Sequence, residues 1–175
     1  MAILKKHRIL ILGVSGFLGR AIYRELHPYF QTFGTYRTSC ITYENNTHFY
    51  RYDFEEDDIF EILNQVRPTI IISSLRGEFS GQLTAHNHLY EYIIHKKQCK
   101  VMFLSSANVF DAYSKFPSYE NDTTLSNSIY GHFKIRIEQL ILKLPQKKHA
   151  IIRLPMVFGA QSPRNNEIKT LIKLN

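Results

Sequence analysis

The run Ile9-Leu10-Ile11-Leu12-Gly13-Val14-Ser15-Gly16-Phe17-Leu18-Gly19 constrains the fold of this chain more than any other stretch. Four consecutive apolar residues suit a strand buried on both faces. Glycines then recur at every third position. Leu18, Ala21, Ile22 and Leu26 follow at helical spacing until Pro28 ends the pattern. A strand, a tight glycine turn and a helix aim backbone N–H groups and a helix N-terminus at one point, where an anion is stabilised. The spacing is Gly-x-x-Gly-x-x-Gly rather than Gly-x-Gly-x-x-Gly, and the absence of a following Gly-Lys-Ser/Thr argues against a P-loop. A dinucleotide pyrophosphate is the usual guest of such a turn.

Downstream, short apolar strands alternate with helical patterns. Phe33–Tyr36 reads as a second strand and His48–Tyr52 as a third. Thr69–Ser73, Val101–Leu104 and Ala150–Leu154 read as the fourth to sixth. Between them, Glu55, Glu56, Asp57 and Asp58 open a helix whose inner face is Ile59, Ile62, Leu63 and Val66. A polar loop, Ser74–Gly81, precedes a helix over Leu83–Lys97 with Tyr90, Ile93 and Ile94 inward. Asp111–Asn127 lacks periodicity and is long for a connection, a length that marks functional or disordered loops. Tyr130–Leu144 is a further helix, and Ile168, Leu171 and Ile172 suggest a last one. Strand and helix alternating without repeats imply an α/β fold built on a doubly wound parallel sheet. On such a sheet ligands sit beyond the carboxyl ends of the strands, where the glycine turn, Arg37, Asp53, Ser74 and Ser106 all map.

Composition narrows the field. With 175 residues and 44% hydrophobic content, one domain over 1–175 with a sizeable core is expected. No apolar run approaches about 20 residues, so no membrane partner is expected. The basic Met1–Arg8 segment and the glycine-cut run after it do not resemble a cleavable signal. Cys40 and Cys99 lie far apart without a CxxC spacing, which favours unpaired thiols in a reducing, cytoplasmic compartment. Eight histidines form no HExxH or Cys/His cluster, so no metal site is expected. The net charge of +7 is dispersed rather than striped. Lys96-Lys97 and Lys143, Lys147 and Lys148 fall where helices end, so no nucleic-acid partner is expected.

Two features carry chemistry. Arg37 follows the second strand, at the place that faces an adenosine ribose, and no acidic residue lies between Glu25 and Glu44. An arginine there suits a 2′-phosphate, so NADP(H) is expected over NAD. Tyr130 and Lys134 stand four apart on one helix face, where the ammonium stabilises a phenolate and lets the tyrosine exchange a proton with a carbonyl oxygen. A serine hydroxyl at the end of the preceding strand can hydrogen-bond the same oxygen. Tyr92 and Lys96 repeat the spacing. Tyr130 is preferred because it follows Ser106 across a loop, and Tyr92 reads as a half-buried aromatic whose hydroxyl reaches water.

Gly13, Gly16 and Gly19 with Ser106, Tyr130 and Lys134 resemble the extended short-chain dehydrogenase/reductase family. Within it, Leu104–Asp111 is most similar to dTDP-4-dehydrorhamnose reductases, which carry a Ser-Thr-Asp-Tyr-Val-Phe string there. Pro117, Glu120, Glu138, Arg153 with Val157-Phe158-Gly159, Asn165-Asn166 and Lys169-Thr170-Leu171 keep the same order. The resemblance implies a Rossmann-like domain in which Ser106 orients a carbonyl, Tyr130 donates the proton, and Lys134 tunes it while holding the nicotinamide ribose. It implies that Gly13, Ser15, Gly16, Phe17, Leu18 and Gly19 admit the pyrophosphate. Arg37 would meet the 2′-phosphate, Asp53 the adenine, and Phe54, Ser74 and Leu75 would complete the cofactor site. The implied reaction is reduction of a 4-keto group on a nucleotide-linked sugar by NADPH.

The chain departs from the family at Ser73-Ser74-Leu75, in place of Asn-Ala-Ala, and at Pro155-Met156. It also departs at Leu83, in place of a proton-relaying Asn that Asn87 lies one turn beyond. Members continue for about a third of their length past this point, so the C-terminal substrate domain is expected to be largely missing. Exposed apolar surface would then favour self-association, a homodimer included. The alternatives are a dinucleotide-binding or regulatory module without turnover, and a nucleotide-sugar epimerase or dehydratase.

Overall fold

The computed structural model describes residues 7–38, 41–113 and 117–159. Six strands form one parallel sheet: β1 (Arg8–Leu12), β2 (Gln31–Tyr36), β3 (Phe49–Arg51), β4 (Ile70–Ser73), β5 (Lys100–Ser106) and β6 (His149–Leu154). Their order is β3-β2-β1-β4-β5-β6, and every pairing is parallel. The helices are α1 (Phe17–Leu26), the short α2 (Ile41–Glu44), α3 (Ile59–Val66), α4 (Phe79–His95) and α5 (Ile129–Ile141). The Rossmann-like, doubly wound expectation therefore holds, and the chain reverses direction across the sheet between β1 and β4.

Alternation along the strands feeds two cores. Leu10, Leu12, Ile71, Val101 and Phe103 face α3, α4 and α5, meeting Leu63, Leu89, Ile93, Ile137 and Ile141. Ile9, Ile11, Ile72 and Leu104 face the other way, where Leu18 and Ile22 of α1 pack on them. The suggested last helix and Cys40 lie outside the described residues, whereas Cys99 is a buried free thiol.

Boundaries moved where hydrogen bonds overrode apolar pattern. β5 runs to Ser106 because its pairing with β6 continues to Ser106 opposite Leu154. The acidic stretch before α3 supplies the cap Asp58, which accepts from the Phe60 N–H. α4 starts at Phe79, inside the expected loop, because the Glu78 carboxylate accepts from the Ser80 (2.8 Å) and Gly81 (2.7 Å) amides. Its inner face is Gly81, Gln82, Ala85, His86, Leu89, Tyr92 and Ile93, with Tyr90 and Ile94 only partly buried. The reading of Tyr92 is thereby corrected: it is buried, and its hydroxyl donates to the Leu63 carbonyl at 3.1 Å. Lys148 does cap a helix, donating to the Ile93 and Ile94 carbonyls at 2.8 and 3.2 Å.

His86 is fully buried, donating from Nδ1 to the Gln82 carbonyl (2.6 Å) and accepting at Nε2 from the Ser73 hydroxyl (2.9 Å). Burial pushes its pKa down to about 4, with the Lys134 charge adding to the shift, so it is a neutral core residue.

Gly13 adopts φ +80°, the left-handed region that glycine enters freely. Gly19 brings α1 so close to the turn that a Cβ there would overlap the Gly13 carbonyl oxygen and meet Ser74 Oγ at 2.9 Å. Gly19→Ala is therefore expected to destabilise the protein by about 1–3 kcal/mol, the overpacking range, measured by urea denaturation.

Candidate functional site

The glycine turn sits at the reversal point, locked from both sides. Thr35 of β2 receives the Val14 amide on its carbonyl (2.8 Å) and the Gly13 amide on its hydroxyl (3.1 Å). Directly after β4, Ser74 Oγ donates to the Leu12 carbonyl at 2.6 Å. Gly16 is the N-cap of α1 and no side chain caps that helix. The amides of its first turn therefore lie beyond the carboxyl end of β1 with no side chain competing for them.

Two cavities flank this turn. One, of about 120 Å³, is lined by Gly13, Ser15, Gly16, Thr35, Tyr36, Arg37, Tyr52, Phe54, Ser74, Leu75 and Arg76. The other, of about 500 Å³, is bordered by Gly16, Phe17 and Leu18 on one wall and by Ser106, Tyr130 and Lys134 on another. Of the expected cofactor residues, Asp53 alone of the charged ones lines neither. Arg37 and Asp53, set by the sequence against different parts of a cofactor, are bonded to each other. Arg37 Nε donates to Asp53 Oδ2 at 2.9 Å and Nη1 to Glu55 Oε1 at 2.9 Å. Asp53 Oδ1 also accepts the Glu55 amide at 3.1 Å, and the guanidinium lies 5.6 Å from the Phe54 ring centroid.

Ser106, Tyr130 and Lys134 are brought to one cavity from β5 and α5. Ser106 ends its strand and caps a single 3₁₀ turn, Ala107–Phe110. It accepts the Asn108 amide (3.2 Å) and donates to Asn108 Oδ1 (2.9 Å). Ser128 caps α5 by accepting the Gly131 amide at 3.1 Å, and its hydroxyl donates to Asp111 at 2.6 Å, so the long loop is anchored to the helix start. Tyr130 stands in the first turn of α5, 43% exposed, beside Phe79. Lys134, one turn deeper, is buried. Its ammonium lies 5.7 Å from the Tyr130 ring centroid and donates to the Leu104 carbonyl at 3.4 Å. Burial pulls the Lys134 pKa down to about 8, with the Glu138 carboxylate opposing the shift.

Glu138, one turn further, is itself buried and ties three segments together. It accepts from Ser105 of β5 and from Arg153 of β6, the latter at 2.8 Å through Nη2. Arg153 Nη1 also donates to the Glu120 carbonyl of the long loop at 2.7 Å.

Sequence reasoning missed Arg76, Phe79, Gln82 and Asn108, all of which line the large cavity. Asn108 was visible inside the resemblance string. Arg76 and Phe79 lie in the supposed loop and Gln82 directly after it, and no periodic signal marks them. Asn87 is exposed and donates to the Leu83 carbonyl of its own helix, so it does not reach the cavity. Tyr92 and Lys96 line neither cavity. Among the described residues no cluster of His, Cys, Asp and Glu could hold a metal ion, and no helix is long and apolar enough to cross a membrane.

A glycine turn at the switch point of a six-stranded parallel sheet, facing a Ser/Tyr/Lys-lined cavity, defines a Rossmann-like protein of the short-chain dehydrogenase/reductase kind. The chain belongs to the family described as the RmlD substrate binding domain, which matches residues 83–175. It is 26% identical to a dTDP-4-dehydrorhamnose reductase of Aggregatibacter actinomycetemcomitans, over 95% of this chain and 56% of that protein. It is also 26% identical to the Methionine adenosyltransferase 2 subunit beta of Bos taurus, over 87% of this chain and 47% of the relative. The chain thus spans about half the length of the curated relatives it matches. Among solved structures, a dTDP-4-dehydrorhamnose reductase from Bacillus anthracis in complex with NADP superimposes with TM-score 0.66. It shares 21% identity, covering 99% of this chain and 61% of that one. A dTDP-glucose 4,6-dehydratase from the same organism in complex with NAD gives TM-score 0.76 at 14% identity, covering 94% and 60%.

Two outcomes follow from the buried charges. Glu138→Gln leaves Arg153 without its counter-charge and is expected to cost on the order of 3–5 kcal/mol. Glu138→Leu with Arg153→Met should recover part of that loss, as read by urea unfolding. For Lys134, the folded pKa of about 8 lies below the ordinary 10.5. The unfolded chain therefore binds the extra proton between those values, and this group makes stability rise as pH climbs from about 8 to about 10.5. Thermal melts from pH 7 to 11 should show that rise in the wild type and lose it in Lys134→Met.

Proposed function

We propose that this chain is the dinucleotide-binding unit of an NADP(H)-dependent reductase acting on a 4-keto nucleotide sugar, with 1–175 forming one domain. The observation that carries the reading is the large cavity itself, in which Ser106, Tyr130 and Lys134 face the glycine turn. The residues fit a nicotinamide dinucleotide. The first turn of α1 is uncapped, Gly13 and Gly19 keep the turn clear of side chains, and the two cavities meet beside it. When bound, the dinucleotide supplies the hydride.

The chain's own groups do the rest. Gly13, Ser15, Gly16, Phe17, Leu18 and Gly19 form the pyrophosphate cradle. Phe54, Ser74 and Leu75 border the adenosine end. Asp53, paired with Arg37, fixes the guanidinium so that Nη2 is left for a 2′-phosphate. Ser106 exchanges its hydrogen bond to Asn108 for the substrate carbonyl oxygen. Tyr130 delivers its phenolic proton to that oxygen, and the Lys134 ammonium stabilises the phenolate that remains. The substrate class follows the reductases named among the relatives and solved structures. Epimerase and dehydratase neighbours keep those net reactions on nucleotide sugars as the alternative chemistry. Cys99, a buried free thiol, suits a reducing, cytoplasmic setting. Self-association, a homodimer included, is part of the same proposal.

A second reading, a dinucleotide-binding or regulatory module without turnover, is favoured by the similarity to a protein named as a subunit of another enzyme.

Separate fluorescence titrations with NADPH and NADH test the site, and the expected result is tighter binding of NADPH. Tyr130→Phe should lower NADPH oxidation by a 4-keto nucleotide sugar by about 100- to 10,000-fold, with NADPH affinity unchanged within about twofold. Equal loss of both refutes the role of Tyr130. Binding without turnover in the wild type selects the second reading.

A further inference from the structure

The two cavities share four lining residues, Gly16, Ser74, Leu75 and Arg76. Only Arg76 among them is charged. Of the other cations nearby, Arg20 donates from Nη2 to the Ser15 carbonyl of the turn at 3.1 Å. Arg37 is paired with both Asp53 and Glu55, and the reading above keeps its remaining Nη2 for the 2′-phosphate. Lys134 is buried on the far wall of the larger cavity. Arg76 is exposed, and among the described residues it makes no ion pair or hydrogen bond.

Its neighbours are fixed in a way that keeps it available. Leu75 is buried on one side. On the other, Gly77 sits at φ +139° against the Phe54 ring, and its carbonyl accepts from Gln82 Nε2 at 2.9 Å. The carboxylate two residues on, Glu78, is held by the Ser80 and Gly81 amides and by the Ser80 hydroxyl, so it does not pair with Arg76. The loop between β4 and α4 thus presents one unneutralised guanidinium on a pinned backbone, across the junction from the uncapped end of α1. That helix end carries only about half a unit of positive charge. A pyrophosphate lying there carries more negative charge than the helix end offsets, and a further cation would add to its binding.

We propose that Arg76 is a phosphate clamp, closing over the pyrophosphate of a dinucleotide that passes from the smaller cavity to the larger, opposite the glycine turn. The proposal rests on the dinucleotide reading above and adds to it a charged contact from the β4–α4 loop. A guanidinium suits the task because its fork donates two parallel hydrogen bonds to phosphate oxygens.

The test is calorimetric titration of wild type, Arg76→Gln and Arg76→Lys with NADPH, NADH and ADP-ribose at low and high salt. Arg76→Gln should weaken all three by about 10- to 100-fold, as expected for a lost charge-assisted contact. It should also flatten their salt dependence and leave the melting temperature unchanged. Arg76→Lys should restore only part of the affinity. Affinities within twofold of wild type overturn the clamp and leave the dinucleotide reading standing. A loss confined to NADPH also overturns it, by moving Arg76 to the 2′-phosphate. A wild type that binds none of the three ligands sinks both the clamp and the function it builds on.

Discussion

The close contact between α1 and the turn after β1 is the constraint on which the site depends. Gly19 lies against the Gly13 carbonyl, and Ser74 bonds the Leu12 carbonyl from the neighbouring strand. With Thr35 holding the turn from β2, three strands fix its position. The end of α1 is then aimed, uncapped, into the crevice where the sheet reverses direction. A site made this way is rigid before any ligand arrives, which limits the ordering that binding must impose.

The opposite wall is held by buried charge as well as by the apolar packing of Phe133, Ile137 and Ile141. Lys134 and Glu138 occupy successive turns of α5, and Glu138 gathers Ser105, Arg153 and, through Arg153, the loop at Glu120. Removing either ion from water is unfavourable, and the arrangement persists because the partners' hydrogen bonds offset that penalty. The same burial that disfavours the Lys134 ammonium places it beneath the Tyr130 ring. Stability and chemistry thus draw on one set of side chains.

Much of the frame was legible. The glycine turn, all six strands and the Ser106, Tyr130 and Lys134 set could be placed from apolar runs and spacing, because those patterns are local. The start of α4 could not. A glutamate cap is a weak signal, and the inward face of that helix carries Gln82 and His86 among its apolar residues. Tyr92 and Lys96 have the same spacing as Tyr130 and Lys134. The loop after Ser106 favours the second pair in the sequence, and the structure adds that Tyr92 is buried with its hydroxyl on the Leu63 carbonyl, whereas Tyr130 and Lys134 line the cavity.

The sequence by itself determined the alternation of strand and helix, the turn geometry that only glycine adopts freely, and which residue types stand at the strand ends. The tertiary structure alone decided that Arg37 meets Asp53 and Glu55 across adjacent strands, that Lys134 is shielded from water, and that Arg76 lies where two cavities join. Periodicity reports what neighbouring residues do along one element. Charge state, pairing and access depend on groups that the chain brings together only when distant segments pack.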